Sequence, residues 1–592
     1  MPGFIAHIGQ NKISFSEEKR SKLIINKTES ESYKIERRVV NKFMNDRLFV
    51  DNEDYLVVVE GVILNNHELI AKYNVSTWYD AVIVMYKALG DDFFKDFRGS
   101  FSGIFYDKQH DKWIVYTNHI GDKQVFQYKI DDNSYIFASE IGFIVDTTKK
   151  NNLPITIDKT ASYCSLTFGF CIEDLTLVKE IRKIPAGHYL KLQNNKLEEI
   201  QYHRFTNKSK KISQKEAIEG IDKYFRQAIK RAFDKDKEYG YKHIACLSGG
   251  LDSRMTVMVA HEMGYTDQLN ITYSQSGYLD FSIAQQIATD LHHDWLFKPL
   301  DGGDCIKDID EITTITYGSA NFFGLAHGMS LERLINYDNY GIIHTGQLGD
   351  VIIGTYLKKM QYGQIPKLTD GAYSQELSER LNEFNLKYDY EDAELFMMYN
   401  RGFCGISQGL LTFQENSESY SPFTDVDFFE FCYSISLDLR FNHKIYFDWI
   451  LDKYPSAAEY IWENTKKKIC RIANKEPKKM IVFGKEIPHF KDKDFPIWLK
   501  GFILRRLGLR KKGQKAKTMV IASSNHMNPV DFWYQTNPFV KEFMHNYWDT
   551  NKHYIEDTQL KEDMNHLFND CVLLDKLQAL SVLSTMKLIY GK

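Results

Sequence analysis

Residues Ala245–Arg254 read ACLSGGLDSR. The stretch follows a short apolar run, HIACL, that reads as a strand, and it precedes RMTVMVAHEM, which reads as a helix. A loop between the carboxyl end of a strand and a helix gathers backbone N–H groups under the helix's positive end. Adjacent glycines let an anion come close to them. Ser248 and Ser253 add hydroxyl donors, so the loop is suited to phosphate. It is neither a Walker loop, since no lysine follows, nor a G-x-G-x-x-G turn. Asp252 stands there instead, and an acid beside a phosphate requires a cation such as Mg²⁺ between them. Taken alone, the stretch also reads as a plain Gly-Gly turn.

A second stretch, HTGQLGDVIIG (His344–Gly354), repeats the order of strand, glycine loop, aspartate and helix. If both strands share one sheet, Asp252 and Asp350 meet at the same edge and can hold a metal between them. Around the two loops strands and helices alternate: QLNITYS is a strand, DFSIAQQIATDLH a helix, YGIIHTG a strand. That alternation predicts a parallel α/β sheet. From about residue 391 the pattern is mostly helical, and 502–517 form a basic patch read as a solvated face.

Ahead of these elements, DYLVVVEGVIL, GSFSGIFYD, KWIVYTN and SYIFASE predict short strands in packed antiparallel sheets. The polar segment Phe205–Glu216 reads as a linker, which divides the chain into 1–204 and 205–592. A chain of 592 residues exceeds what one core organises. The net charge of −4 gives no bulk attraction for nucleic acid. No run reaches membrane-spanning length, the N-terminus lacks a signal-peptide layout, and eight scattered cysteines suit a reducing compartment. A cytoplasmic protein without nucleic-acid or membrane partners is expected.

SGGLDS, TGQLGD and SESYSPFTDVDFFEF follow GDDFFKDFRGSFSGIFYD, FASEIGFIV and IRKIPAGHYLKL. In that order the chain resembles the glutamine-hydrolysing asparagine synthetase family, with its relatives the β-lactam synthetases and lasso-peptide cyclases. The resemblance implies an N-terminal αββα glutaminase-like sandwich and a C-terminal parallel-sheet ATP pyrophosphatase domain with added helices. It implies adenylation of a carboxylate by ATP with Mg²⁺, then displacement of AMP by an amine. Carried over by position, Leu247, Ser248, Gly249, Gly250, Asp252, Ser253 and Gly346 would bind ATP. Asp252 and Asp350 would hold Mg²⁺, and Glu418 would be a carboxylate of the acceptor pocket. Lys466 or Lys468 would be the catalytic lysine, and Gln347, where the family commonly has Glu and the β-lactam synthetases Tyr, would be a further catalytic-site residue.

Departures from the family pattern bear on the reaction. The family's glutaminases begin Met-Cys, with the cysteine as nucleophile and its own amine as base. Here the second residue is Pro2, and the first cysteine is Cys164. The family's N-G-E-I-Y-N segment reads Glu60-Gly61-Val62-Ile63-Leu64-Asn65, with a carboxylate where an oxyanion would need donors. Gln347, Val351 and Tyr420 depart from the family at the acceptor side. The expectation is an AMP-forming amide ligase that does not hydrolyse glutamine and takes ammonia or an amine. Its acid would be a small molecule, a sugar acid or a peptide carboxylate, and a separate precursor or amine-supplying protein and a homodimer are the partner expectations. Ring closure within one substrate, ammonia-dependent asparagine synthesis and a non-catalytic ATP-binding homologue are the alternatives.

Overall fold

The computed structural model describes residues 2–472, 479–482, 485–488 and 522–591, and the basic patch at 502–517 lies outside them. The N-terminal half contributes β1 (Gly3–Ile8), β2 (Leu23–Glu29), β3 (Tyr33–Val40), β4 (Leu48–Asp51), β5 (Tyr55–Ile63) and β6 (Gly99–Asp107). It continues with β7 (Lys112–Thr117), β8 (Phe126–Asp131), β9 (Ser134–Ala138), β10 (Ile181–Lys183), β11 (His188–Gln193) and β12 (Lys196–Gln201). These form two six-stranded antiparallel sheets, ordered β10-β8-β9-β1-β3-β2 and β12-β11-β7-β6-β5-β4.

Strand alternation explains the layering. In β5, Leu56 and Val58 face the other sheet, joining Phe4, Ala6 and Phe137 in an apolar seam. Val57 and Val59 point the opposite way, beneath Trp78, Val82 and Met85 of α1 (Trp78–Leu89). On the far side Ile141 and Ile144 of α2 (Ile141–Lys150) cover Ile5 and Ile136. The result is the expected αββα sandwich.

The C-terminal half opens with α3 (Gln214–Glu238), whose start is fixed by a Ser213–Glu216 capping box. The parallel sheet contains β13 (Lys242–Cys246), β14 (Gln268–Ser274), β15 (Asp294–Pro299), β16 (Tyr340–His344) and β17 (Ser419–Tyr420), ordered β15-β14-β13-β16-β17. Helices α4 (Leu251–Glu262) and α5 (Leu279–Asp290) connect its first three strands. The chain runs outward from β13 to β15, then returns to the other side of β13, so the strand order reverses between β13 and β16. In open α/β sheets a crevice forms at that reversal, beyond the carboxyl ends. Further along come α6 (Lys444–Lys453), α7 (Thr558–Asp570) and α8 (Leu573–Tyr590).

Two local readings differ from the sequence expectation. The helix expected after the second loop is a single π-type turn, Val351–Thr355, broken where Gly354 takes a φ of +142°. The segment after residue 204 is polar yet docked: Phe205 is buried against Phe429, with ring centroids 4.0 Å apart. Asn207 donates to both Asp392 and Glu394.

Candidate functional site

Ala245 on β13 pairs with His344 on β16, so the loops leaving these strands lie side by side. Their contact is too close for side chains. A Cβ on Gly346 would sit 2.3 Å from the Ser253 nitrogen, and one on Gly349 would sit 2.5 Å from Asp252 Cγ. This close approach brings the two aspartates together. The Asp350 N–H donates to Asp252 Oδ2 at 3.0 Å, and Tyr446 Oη on α6 donates to Oδ1 at 2.7 Å. Burial, and after it the Asp350 charge, push the Asp252 carboxyl well above its ordinary range.

These residues line a cleft of about 360 Å³ together with Ser248, Ser253, His443, Phe447, Trp462, Glu463 and Asn464. Among the described residues, no lysine or arginine lines it. Glu463 adds a third carboxyl, raised by burial and by Asp280 and Asp350. Crowded acids whose cleft, among the described residues, is lined by no lysine or arginine fit a divalent oxygen-liganded cation such as Mg²⁺, with Asp252 and Asp350 as the residues to hold it.

The first loop fits phosphate. Helix α4 begins at Gly250 with no side chain capping its free N–H groups, which leaves its positive end open to the cleft. Ser253 Oγ accepts the Ser248 N–H at 3.0 Å and lies 2.9 Å from Ser248 Oγ, so the two hydroxyls satisfy each other. A phosphate oxygen can take over those bonds. Asp280 accepts the Gly249 N–H at 2.7 Å and holds the loop from behind.

Several supporting residues had no role in the sequence reading. Arg254 is fully buried and donates to the carbonyls of Ala457, Tyr460, Gly249 and Ile461. It thus ties the loop to the 457–461 turn that carries Trp462 and Glu463 into the cleft. Burial lowers its guanidinium to about 10. Thr355 Oγ1 donates to Asp350 Oδ2 at 2.6 Å and takes a hydrogen bond from His443 Nε2 at 2.6 Å. Arg254 ends the ACLSGGLDSR stretch, so its position beside the loop is a local signal. Tyr446 and His443 carry no local signal, because only tertiary packing brings α6 to the loops.

Other predicted site residues lie elsewhere. Leu247 is buried beneath the loop. Gln347 is not among the residues lining the cleft: its side-chain amide donates to the Ile406 carbonyl, and Ser421 Oγ donates to the Gln347 backbone carbonyl. Lys466 and Lys468 are exposed and do not line the cleft; Lys468 pairs with Glu459. Glu418 is buried where the two halves meet, accepting from Lys123 at 2.7 and 2.8 Å and from Arg47 at 2.7 Å.

Glu60 belongs to that same buried cluster, 3.1 Å from Arg47 and 3.9 Å from Arg37. Burial pushes its carboxyl up to about 7 against the pull of both arginines. Gly61 is needed for backbone reasons, with a φ of +104° and no space for a Cβ, which would lie 2.0 Å from the Ser100 carbonyl oxygen. Its presence therefore says nothing about catalysis.

Comparison with known proteins matches the glutamine amidotransferase domain over residues 42–203 and asparagine synthase over 220–403. The second span contains both cleft loops; Glu418, Lys466 and Lys468 lie beyond it. A putative glutamine-hydrolysing asparagine synthetase 2 of Methanocaldococcus jannaschii is 27% identical over 319 residues, 52% of this chain and 60% of that protein. Asparagine synthetase B, glutamine-hydrolysing, of Escherichia coli is 21% identical over 346 residues, covering 52% of this chain and 54% of that protein. The chain thus spans little more than half the length of these relatives. Among solved structures, the NH₃-dependent NAD synthetase from Campylobacter jejuni aligns at 14% identity with a TM-score of 0.17, covering 25% of this chain and 65% of that one.

Proposed function

From a chain that pairs a glutamine amidotransferase domain with an asparagine synthase domain, as a distant homologue of glutamine-hydrolysing asparagine synthetases, we propose an ATP-dependent, AMP-forming amide ligase that lacks its own glutamine hydrolysis. The observation that carries this reading is the Asp252–Asp350 pair beside an uncapped helix start, lining one cleft with the two serines of the first loop. The carbon–nitrogen bond would form in two steps. A substrate carboxylate attacks the α-phosphorus of ATP and pyrophosphate leaves; an amine then attacks the acyl carbon and AMP leaves.

Residues of this chain supply the positioning. The uncapped backbone N–H groups at the start of α4 and the hydroxyls of Ser248 and Ser253 orient the pyrophosphate portion. Asp252, held by Tyr446, and Asp350, held by Thr355, whose hydroxyl is in turn bonded to His443, are the pair that would hold Mg²⁺, which when bound would neutralise the charge of departing pyrophosphate. Arg254 keeps the loop and the 457–461 turn in register.

Loss of glutamine hydrolysis is supported within the sandwich. Pro2, leading into β1, offers neither thiol nor hydroxyl. Glu60 is consumed by an internal ion cluster, and Val62 is fully buried. The purified protein is expected to release no glutamate from glutamine while forming product with ammonium or an amine. Glutamate release coupled to ATP cleavage would contradict that part of the reading.

A second reading, an ATP-binding regulatory homologue, is favoured by one observation: neither Lys466 nor Lys468 lines the cleft. It predicts Mg²⁺-dependent ATP binding without pyrophosphate release for any acid. The acid that supports pyrophosphate release identifies the substrate; product formed without added ammonium or amine indicates ring closure, as in a macrolactam or β-lactam-type cyclase, and product from aspartate with ammonium indicates asparagine synthesis.

A further inference from the structure

Far from the cleft, Glu376, His566 and Cys571 bring a carboxylate oxygen, an imidazole nitrogen and a thiol sulfur within 4.8 Å of one another. We propose that these three side chains form a binding site for a zinc-type divalent cation, with a fourth position open to water. The donor set is the first argument. Thiolate with imidazole selects borderline-soft ions over Mg²⁺ or Ca²⁺, and three protein ligands with one open position is a common zinc arrangement.

Geometry is the second argument. His566 Nε2 and Cys571 Sγ are 3.5 Å apart. Two ligands held tetrahedrally at zinc–nitrogen and zinc–sulfur bond lengths would be separated by about 3.5 Å. The other ring nitrogen, His566 Nδ1, lies 3.1 Å from Asp570 Oδ2, one helical turn along α7. A carboxylate on Nδ1 fixes the tautomer that leaves Nε2 free to ligate, as the partners of metal-bound histidines do.

The scaffold holds the ligands in place. Cys571 is the first of the two extended residues, Cys571 and Val572, that join α7 to α8, so its position is set by both helices. Glu376 lies on a segment fastened to α7 by Arg380, which pairs with Asp563 at 2.8 and 2.9 Å. The buried trio Asp236, His243 and His344 makes a useful contrast. There both histidine nitrogens contact Asp236 Oδ2 directly, at 2.8 and 2.7 Å, and Oδ1 takes the Ile342 N–H. Those contacts are too short to admit an ion between the atoms; in the surface trio the His566 Nε2–Cys571 Sγ hydrogen bond is 3.5 Å long, the separation two zinc ligands need. Binding exchanges the S–H bond for a sulfur–metal bond and releases the proton to solvent.

The test is titration of untagged, metal-free full-length protein with Co²⁺. The expected result is a thiolate-to-cobalt charge-transfer band that saturates at one equivalent and disappears when Zn²⁺ is added. Cys571→Ser removes the band, Asp570→Asn weakens binding about 10- to 100-fold, and Asp252→Asn leaves it intact, which separates this site from the cleft. Absence of the band in the wild-type protein, or its survival in Cys571→Ser, overturns the proposal.

Discussion

At the residue scale, Asp252 is a carboxyl held where its charge is disfavoured. Its folded-state affinity for a proton exceeds the unfolded one, so its contribution to stability is present at acid pH and is lost as pH rises above the ordinary carboxylate range. Asp252→Asn is therefore expected to raise the melting temperature at pH 8 in EDTA, with the difference shrinking at pH 5. The same variant should lose the Mg²⁺-ATP-induced rise in melting temperature seen in the wild type. Glu60 follows the same sign over a narrower window, because its carboxyl is raised from 4.5 to about 7. Stability tied to it should decline between those values, and Glu60→Gln should flatten that part of the pH–stability curve, measured by denaturant unfolding. Glu418, a few ångströms away, has the opposite sign: Lys123 and Arg47 hold its carboxyl low despite burial, so its contribution is lost as pH falls.

At the element scale, the cleft depends on how closely two loops pack. Gly346→Ala places a methyl against the Ser253 backbone, and no side-chain rotation relieves that contact. It is expected to abolish ATP binding, read by calorimetric titration, while far-ultraviolet circular dichroism stays unchanged. The loops were legible in the sequence because glycine, serine and aspartate chemistry is local: Ser248–Ser253 and Asp350 stand where the strand–loop–helix pattern put them. The helical continuation at Val351 was not legible. Asp-Val-Ile-Ile reads as a helix start, and only the φ of Gly354 ends it after one turn. Strands β15 and β17 were missed for a related reason. Asp294–Pro299 carries charges, Ser419–Tyr420 is two residues long, and both become strands because a parallel neighbour is already present.

At the scale of the whole molecule, the two halves are joined by buried charge rather than by a flexible tether. Lys123 and Arg47 of the sandwich meet Glu418 of the synthetase half, and Lys235 of α3 reaches Asp46 at 3.1 Å. Removing Glu418 takes the carboxylate from buried Lys123 and leaves Arg47 with Glu60 alone. Glu418→Gln should cost about 3–5 kcal/mol at neutral pH and turn one calorimetric transition into two. The resemblance put Glu418 in an acceptor pocket, while the fold buries it between the halves. Its partners Arg47 and Lys123 are 371 and 295 residues away in sequence, and no local pattern announces them.

The central claim is that the Asp252–Asp350 cleft activates a carboxylate with ATP. Its most direct test is exchange of labelled pyrophosphate into ATP, with Mg²⁺ and a panel of amino acids, sugar acids and peptides, in wild type and Asp252→Asn. The account predicts exchange that requires one class of acid and falls by roughly 100-fold or more in the variant. Exchange that persists undiminished in Asp252→Asn, or ATP binding with no exchange for any acid, would contradict it.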